Sequence, residues 1–167
     1  LNSLNEKQDY CPVIPEKKEI EDWCEKIENQ EIYFECSEVE EYGESYWDRD
    51  YSYEYSDDFG IGKELSRAFR LAEDLLFQRK YEQALILYDR LCSMSFPVLD
   101  SDMEEWNELE LEELVDEKLV SLDLKQIALN LMYANYQAAE GGERAAALYR
   151  YLSWNMCKDI KVEELFI

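Results

Sequence analysis

The chain has 167 residues, 40 of them acidic against 17 basic, for a formal net charge of −23. Charge of that sign and density repels nucleic-acid phosphates and anionic membrane surfaces, both of which are held mainly by Lys and Arg. The absence of histidine removes the commonest metal ligand and general base together.

An apolar fraction of 47% suffices for a real core, and only 5 Gly and 3 Pro favour long helices over a turn-rich β fold. The first 60 residues carry 19 acidic and 5 basic side chains, the remaining 107 carry 21 and 12. Both parts therefore attract basic proteins or basic segments over long range, while solubility alone is the plainer use of such charge. No run approaches the ~18 uninterrupted apolar residues of a membrane helix. No basic-then-apolar secretory segment opens the chain, so a cytoplasmic location is expected. Cys11, Cys24, Cys36, Cys92 and Cys157 are odd in number, widely spaced and without a C-x-x-C pair. They read as reduced, buried thiols rather than a disulfide framework or a zinc site. The chain begins at Leu1 rather than Met, which suits a trimmed piece of a longer protein.

Residues 1–14 read as an irregular leader interrupted by Pro12, with Pro15 suited to a first helical position. Ile20, Trp23, Cys24 and Ile27 then recur at i, i+3, i+4 and i+7, predicting one amphipathic helix over 16–29. Residues 31–59 hold nine aromatics, and 37–59 hold nine acidic residues against one base, Arg49. Such charge opposes folding, whereas such aromatic content favours burial. The expectation is an acidic, aromatic-rich arm, docked on its own helices, offered to a partner, or serving only as an inert linker. Ile32, Phe34 and Cys36 alternate, which permits a short strand without requiring one.

Gly60-Ile61-Gly62 reads as a hinge, dividing an N-terminal arm, 1–60, from a helical domain, 61–167. Gly62-Lys63 lacks the earlier glycine, the following Ser or Thr and the preceding strand of a phosphate loop. Two helices follow, predicted over 63–79 and 81–95, each apolar over a wide arc, with Phe96-Pro97 as a stop. Ser101-Asp-Met-Glu104 has the form of a capping box opening an acidic helix, with Met103, Trp106, Leu111, Leu114, Val115 and Leu119 as its buried stripe. Asp123 starts the next helix, which carries Leu124, Ile127, Ala128, Leu131, Ala134 and Ala138. Gly141-Gly142 then turns into a last helix through Ala145, Ala146, Tyr149, Leu152 and Trp154. The tail from Ile160 to Ile167 is apolar enough to dock.

Leu71, Ala72, Leu75, Tyr81, Ala84, Tyr88, Leu91 and Pro97 together give the stretch from Leu65 to Pro97 a resemblance to a tetratricopeptide (TPR) repeat, a helix–turn–helix unit of about 34 residues. It departs from that family at Ala68, where Trp is common, and at Arg79, where a turn glycine is favoured. Ala134 and Ala146 repeat the spacing of Ala72 and Ala84, with an acidic segment interrupting the array. The resemblance implies an all-α fold of about five to six helices in TPR-like hairpins. It also implies a groove lined by Ser66, Phe69, Glu73, Leu76 and Phe77 that binds another protein or peptide.

No motif carries catalysis. Asp48-Arg-Asp50 opens like a calcium loop but lacks its glycine and closing glutamate. A cysteine nucleophile lacks a histidine partner. The expectation is a non-enzymatic protein–protein interaction module with no cofactor and no metal. Two further readings stand beside it: an acidic mimic of nucleic acid that inhibits a basic protein, and a structural domain of a larger protein.

Overall fold

The computed structural model describes residues 15–42, 49–151, 155–157, 160, 161 and 164. In chain order the elements are α1 (Pro15–Glu28), β1 (Phe34–Tyr42), β2 (Arg49–Ser56), α2 (Ile61–Phe77), α3 (Tyr81–Cys92), β3 (Phe96–Asp100), β4 (Glu105–Leu109), α4 (Leu111–Asp116), α5 (Leu124–Ala138) and α6 (Arg144–Tyr149). The four strands form one mixed sheet in the order β2-β1-β3-β4. The fold is α/β, which corrects the all-α, TPR-like expectation.

The correction has a specific origin. The expected arm supplies β1 and β2, an antiparallel hairpin with Cys36 opposite Tyr55 and Val39 opposite Ser52. The chain then passes through α2 and α3 and returns as β3, which lies parallel to β1 with Phe34 beside Val98 and Cys36 beside Asp100. A parallel neighbour requires such a crossover, and the α2–α3 pair provides it. Residues on both sides of Gly60 therefore share one sheet and one core.

Alternation decides which side chains enter that core. Phe34, Cys36, Phe96 and Val98 are buried on the helix-facing side, where they meet Leu65, Ala68, Leu75 and Leu91. Ala72 and Ala84 are fully buried in the neighbouring helices α2 and α3. The other sheet face carries Leu99 and its cross-strand partner Trp106. Trp106 meets Tyr33 edge-on at 5.1 Å between centroids, and Tyr33 meets Phe59 at 5.0 Å. Helix α1 buries Ile20, Cys24 and Ile27, and ion pairs from Glu19 to Arg67 (2.9 Å) and Glu28 to Arg90 (2.6 Å) join it to α2 and α3. Both pairs are half exposed, so they orient the helix more than they stabilise it.

The acidic helix expected from Ser101 is also replaced. Asp100 is buried, and its Oδ1 accepts from the backbone N–H of Asp102 (2.9 Å) and Met103 (3.1 Å), which closes the turn between β3 and β4. Ser101 N–H donates to Cys36 O, and Glu38 N–H to Asp102 Oδ2, so the turn is also tied to β1. Met103 and Trp106, expected in a buried stripe, are 65% and 43% exposed. The helix begins only at Leu111, where Glu110 N–H donates to Glu113 Oε2 at 2.7 Å. Of the pair expected to echo Ala72 and Ala84, Ala134 is buried in α5 while Ala146 is exposed on the short α6. Residues 152–154 and most of the tail from 160 lie outside the described residues, as does the leader over 1–14.

Three helices end alike. Gln30, Arg79 and Lys118 follow α1, α2 and α4 with φ of 58°, 59° and 59°. After α2, Lys80 N–H donates to Leu75 O and Arg79 N–H to Leu76 O, the paired bonds of a Schellman motif. The left-handed position costs a residue with a Cβ about 1 kcal/mol, which glycine avoids. Arg79→Gly is therefore expected to stabilise the protein by up to about 1 kcal/mol, raising the thermal midpoint by roughly 2–4 °C in calorimetry.

Candidate functional site

Ser66, Phe69, Arg70 and Glu73 recur at i, i+3, i+4 and i+7 and so lie on one face of α2. That face opens on a cleft of about 300 Å³ closed by Tyr88 of α3, by residues 121–123 ahead of α5, and by Gln126, Ile127 and Asn130 of α5. Phe69, Tyr88 and Ile127 are buried and make an apolar floor, with the Phe69 and Tyr88 rings 6.2 Å apart. Arg70, Ser121, Asp123 and Gln126 are exposed around the rim.

The wall toward α5 is a chain of hydrogen bonds. Asp123 caps α5 by accepting from Gln126 N–H at 3.0 Å. Gln126 Nε2 donates to Asn130 Oδ1 at 2.9 Å, and Asn130 Nδ2 donates to Tyr88 Oη at 3.0 Å. Burial pushes the Tyr88 phenol up to about 12; the Asn130 bond pulls against that rise and the Glu73 charge adds to it. Tyr88 thus stays a neutral phenol with a hydroxyl hydrogen of its own to donate. On the α2 side, Ser66 Oγ donates to Gly62 O at 2.9 Å. The cleft combines an apolar floor with donors (Arg70, Gln126) and acceptors (Glu73, Asp123), a mixture suited to a peptide side chain and its flanking backbone.

The five residues expected to line a groove are distributed unevenly. Ser66, Phe69 and Glu73 line the cleft. Leu76 is half-buried and packs against the core, and Phe77 is 77% exposed. Of the three apolar members, only Phe77 is left to solvent. Among the described residues, none of β1 or β2 lines the cleft, and the segment expected as an arm is engaged in the sheet instead. Arg70, Tyr88, Gln126 and Asn130 were missed as site residues. Arg70 was legible from the α2 periodicity, whereas Tyr88 read as a helix-contact aromatic and α5 carried no sign of facing α2.

The thiols are held away from nucleophilic chemistry. Cys24, Cys36 and Cys157 are buried, and burial is the leading cause of a raised thiol in each, Cys24 being pushed up to about 11. Cys92 is likewise raised by burial, with the Glu112 charge adding to it. At neutral pH these groups are thiols and poor nucleophiles. Among the described residues, no group of three His, Cys, Asp or Glu is arranged to hold a metal ion, and no helix is long and apolar enough to cross a membrane. Compared with known proteins, the chain matches no family model, no curated protein and no solved structure.

Proposed function

We propose that this chain is a non-enzymatic protein–protein interaction module and that the α2–α5 cleft takes a short peptide segment of its partner. The observation that carries this reading is the cleft itself, in which an apolar floor of Phe69, Tyr88 and Ile127 is ringed by both hydrogen-bond donors and acceptors. An apolar side chain seated on that floor would be desolvated, while Arg70, Glu73 and Gln126 would fix the direction of the segment.

A photo-crosslinking residue at Gln126, compared with one at Glu21 on α1, tests the assignment in cells of the source organism. Position 126 should give a discrete adduct with a partner protein that position 21 does not give. Ser121→Trp, an exposed change that fills the rim, should remove it. The reading fails if position 126 gives no specific adduct, or if the adduct persists in Ser121→Trp.

A further inference from the structure

The β1–β2 hairpin outgrows the sheet that anchors it. Strand β3 pairs with β1 only over Phe34 to Cys36, whereas β2 pairs with β1 from Glu35 to Tyr42. Among the described residues, the hairpin beyond Cys36 is a two-stranded ribbon and β2 forms the outer edge of the sheet. An edge strand presents backbone N–H and C=O groups along its free side, a template for an added strand.

The two-residue period of β2 puts Tyr51, Tyr53 and Tyr55 in a row on one face, about 7 Å apart. Their cross-strand partners are Glu40, Glu38 and Cys36. The row is graded in depth: Tyr55 packs against the core beside buried Cys36, whereas Tyr53 and Tyr51 are 52% and 53% exposed. Tyr55 is raised first by burial, and the charge of Glu117, the residue that follows α4, adds to the rise. The rings of Tyr51 and Tyr53 are thus exposed opposite the carboxylates of Glu40 and Glu38. An aromatic ring attracts cations to its face, guanidinium groups more often than ammonium groups.

We propose that this face docks an extended segment of a partner protein with arginine or lysine at alternate positions, added as a strand along the outer edge of β2. Three properties select that occupant. The free edge selects an extended backbone, the spacing of the tyrosines selects alternate residues, and the surrounding carboxylates select positive charge. The site uses no residue of the α2–α5 cleft and stands or falls separately from it.

The test measures fluorescence anisotropy of labelled eight-residue peptides with the full chain at physiological salt. One peptide alternates serine with arginine, and its isomer has four serines followed by four arginines. The alternating peptide should bind about tenfold more tightly than its isomer, as expected if two cation–π contacts are made in register. Tyr51→Ser combined with Tyr53→Ser, both exposed positions, should abolish that preference while the far-ultraviolet circular dichroism stays unchanged. Equal affinity for the two isomers, or a preference unaltered in the double variant, would show attraction by net charge alone and overturn the proposal. Failure to bind the alternating peptide would overturn it too.

Discussion

Phe34→Ala is expected to lower the free energy of unfolding by about 4 kcal/mol, the usual cost of emptying a buried phenylalanine site. Phe34 is fully buried and stands beside Val98 at the start of the parallel β1–β3 pairing. Its ring belongs to the same core as Leu65 and Leu91, so its loss leaves a cavity between the sheet and the helices. That is a large part of the stability of an ordinary domain. Phe77→Ala, on a side chain that is 77% exposed, provides the control and should change stability by no more than about 0.5 kcal/mol. Urea unfolding of the two variants measures the contrast. A loss below about 1 kcal/mol for Phe34→Ala would mean that the hairpin is not part of the core.

Gly62→Ala is the second severe change, with an expected cost of about 3 kcal/mol. A Cβ at this position would lie 2.5 Å from the main-chain oxygen of Leu119 and 3.4 Å from Asp57 Oδ2. Neither neighbour yields easily. Leu119 N–H is committed to Leu114 O at the end of α4, and the Asp57 carboxylate accepts from the N–H groups of Ile61 (2.6 Å) and Gly62 (2.8 Å) at the start of α2. Gly60 gives the comparison, because it has open space and a φ of 69°, so Gly60→Ala costs only the left-handed backbone, about 1 kcal/mol. Urea midpoints should therefore rank wild type above Gly60→Ala above Gly62→Ala. Reversal of the last two would mean that α2 does not approach the 119 segment this closely. What reads in sequence as a hinge is thus a packing point: Gly60 makes the turn and Gly62 admits a carbonyl.

The helical part of the fold was legible because helix periodicity is strong in long segments. The spacing of Ile20, Trp23, Cys24 and Ile27 marks α1, and the broad apolar arcs around Phe69 and Leu87 mark α2 and α3. Beyond the short strand that Ile32, Phe34 and Cys36 permit, the sheet was not legible, for three separate reasons. In β3 the run Phe-Pro-Val-Leu-Asp is five residues long and contains a proline, which reads as a helix stop. Pro97 stands opposite Glu108 of β4 and ahead of the β1 ladder, which begins only at Val98. In β4 the residues Glu-Trp-Asn-Glu are all exposed, so no buried face marks the strand. In β1 the apolar alternation stops at Cys36 and gives way to Glu38 and Glu40, and in β2 tyrosines alternate with serine and glutamate, because the ribbon leaves the core after Cys36. Composition then reads as an arm where the backbone makes a sheet.

The candidate cleft was half legible for a related reason. Ser66, Phe69 and Glu73 share a helix face that local periodicity reveals. Tyr88, Gln126 and Asn130 join them only because α5 packs on α3, a long-range contact without a local signature. The TPR resemblance carried Leu76 and Phe77 along with the others, although one faces the core and the other faces solvent.

The central claim is that the acidic, aromatic N-terminal segment and the helical segment share one sheet, and nuclear Overhauser contacts in the labelled protein test it directly. Backbone contacts should connect residues 34–36 with 98–100 in parallel register, and 49–56 should show extended-strand chemical shifts. Random-coil shifts over 34–56, in a protein whose 61–138 region keeps helical shifts and protected amides, would contradict it.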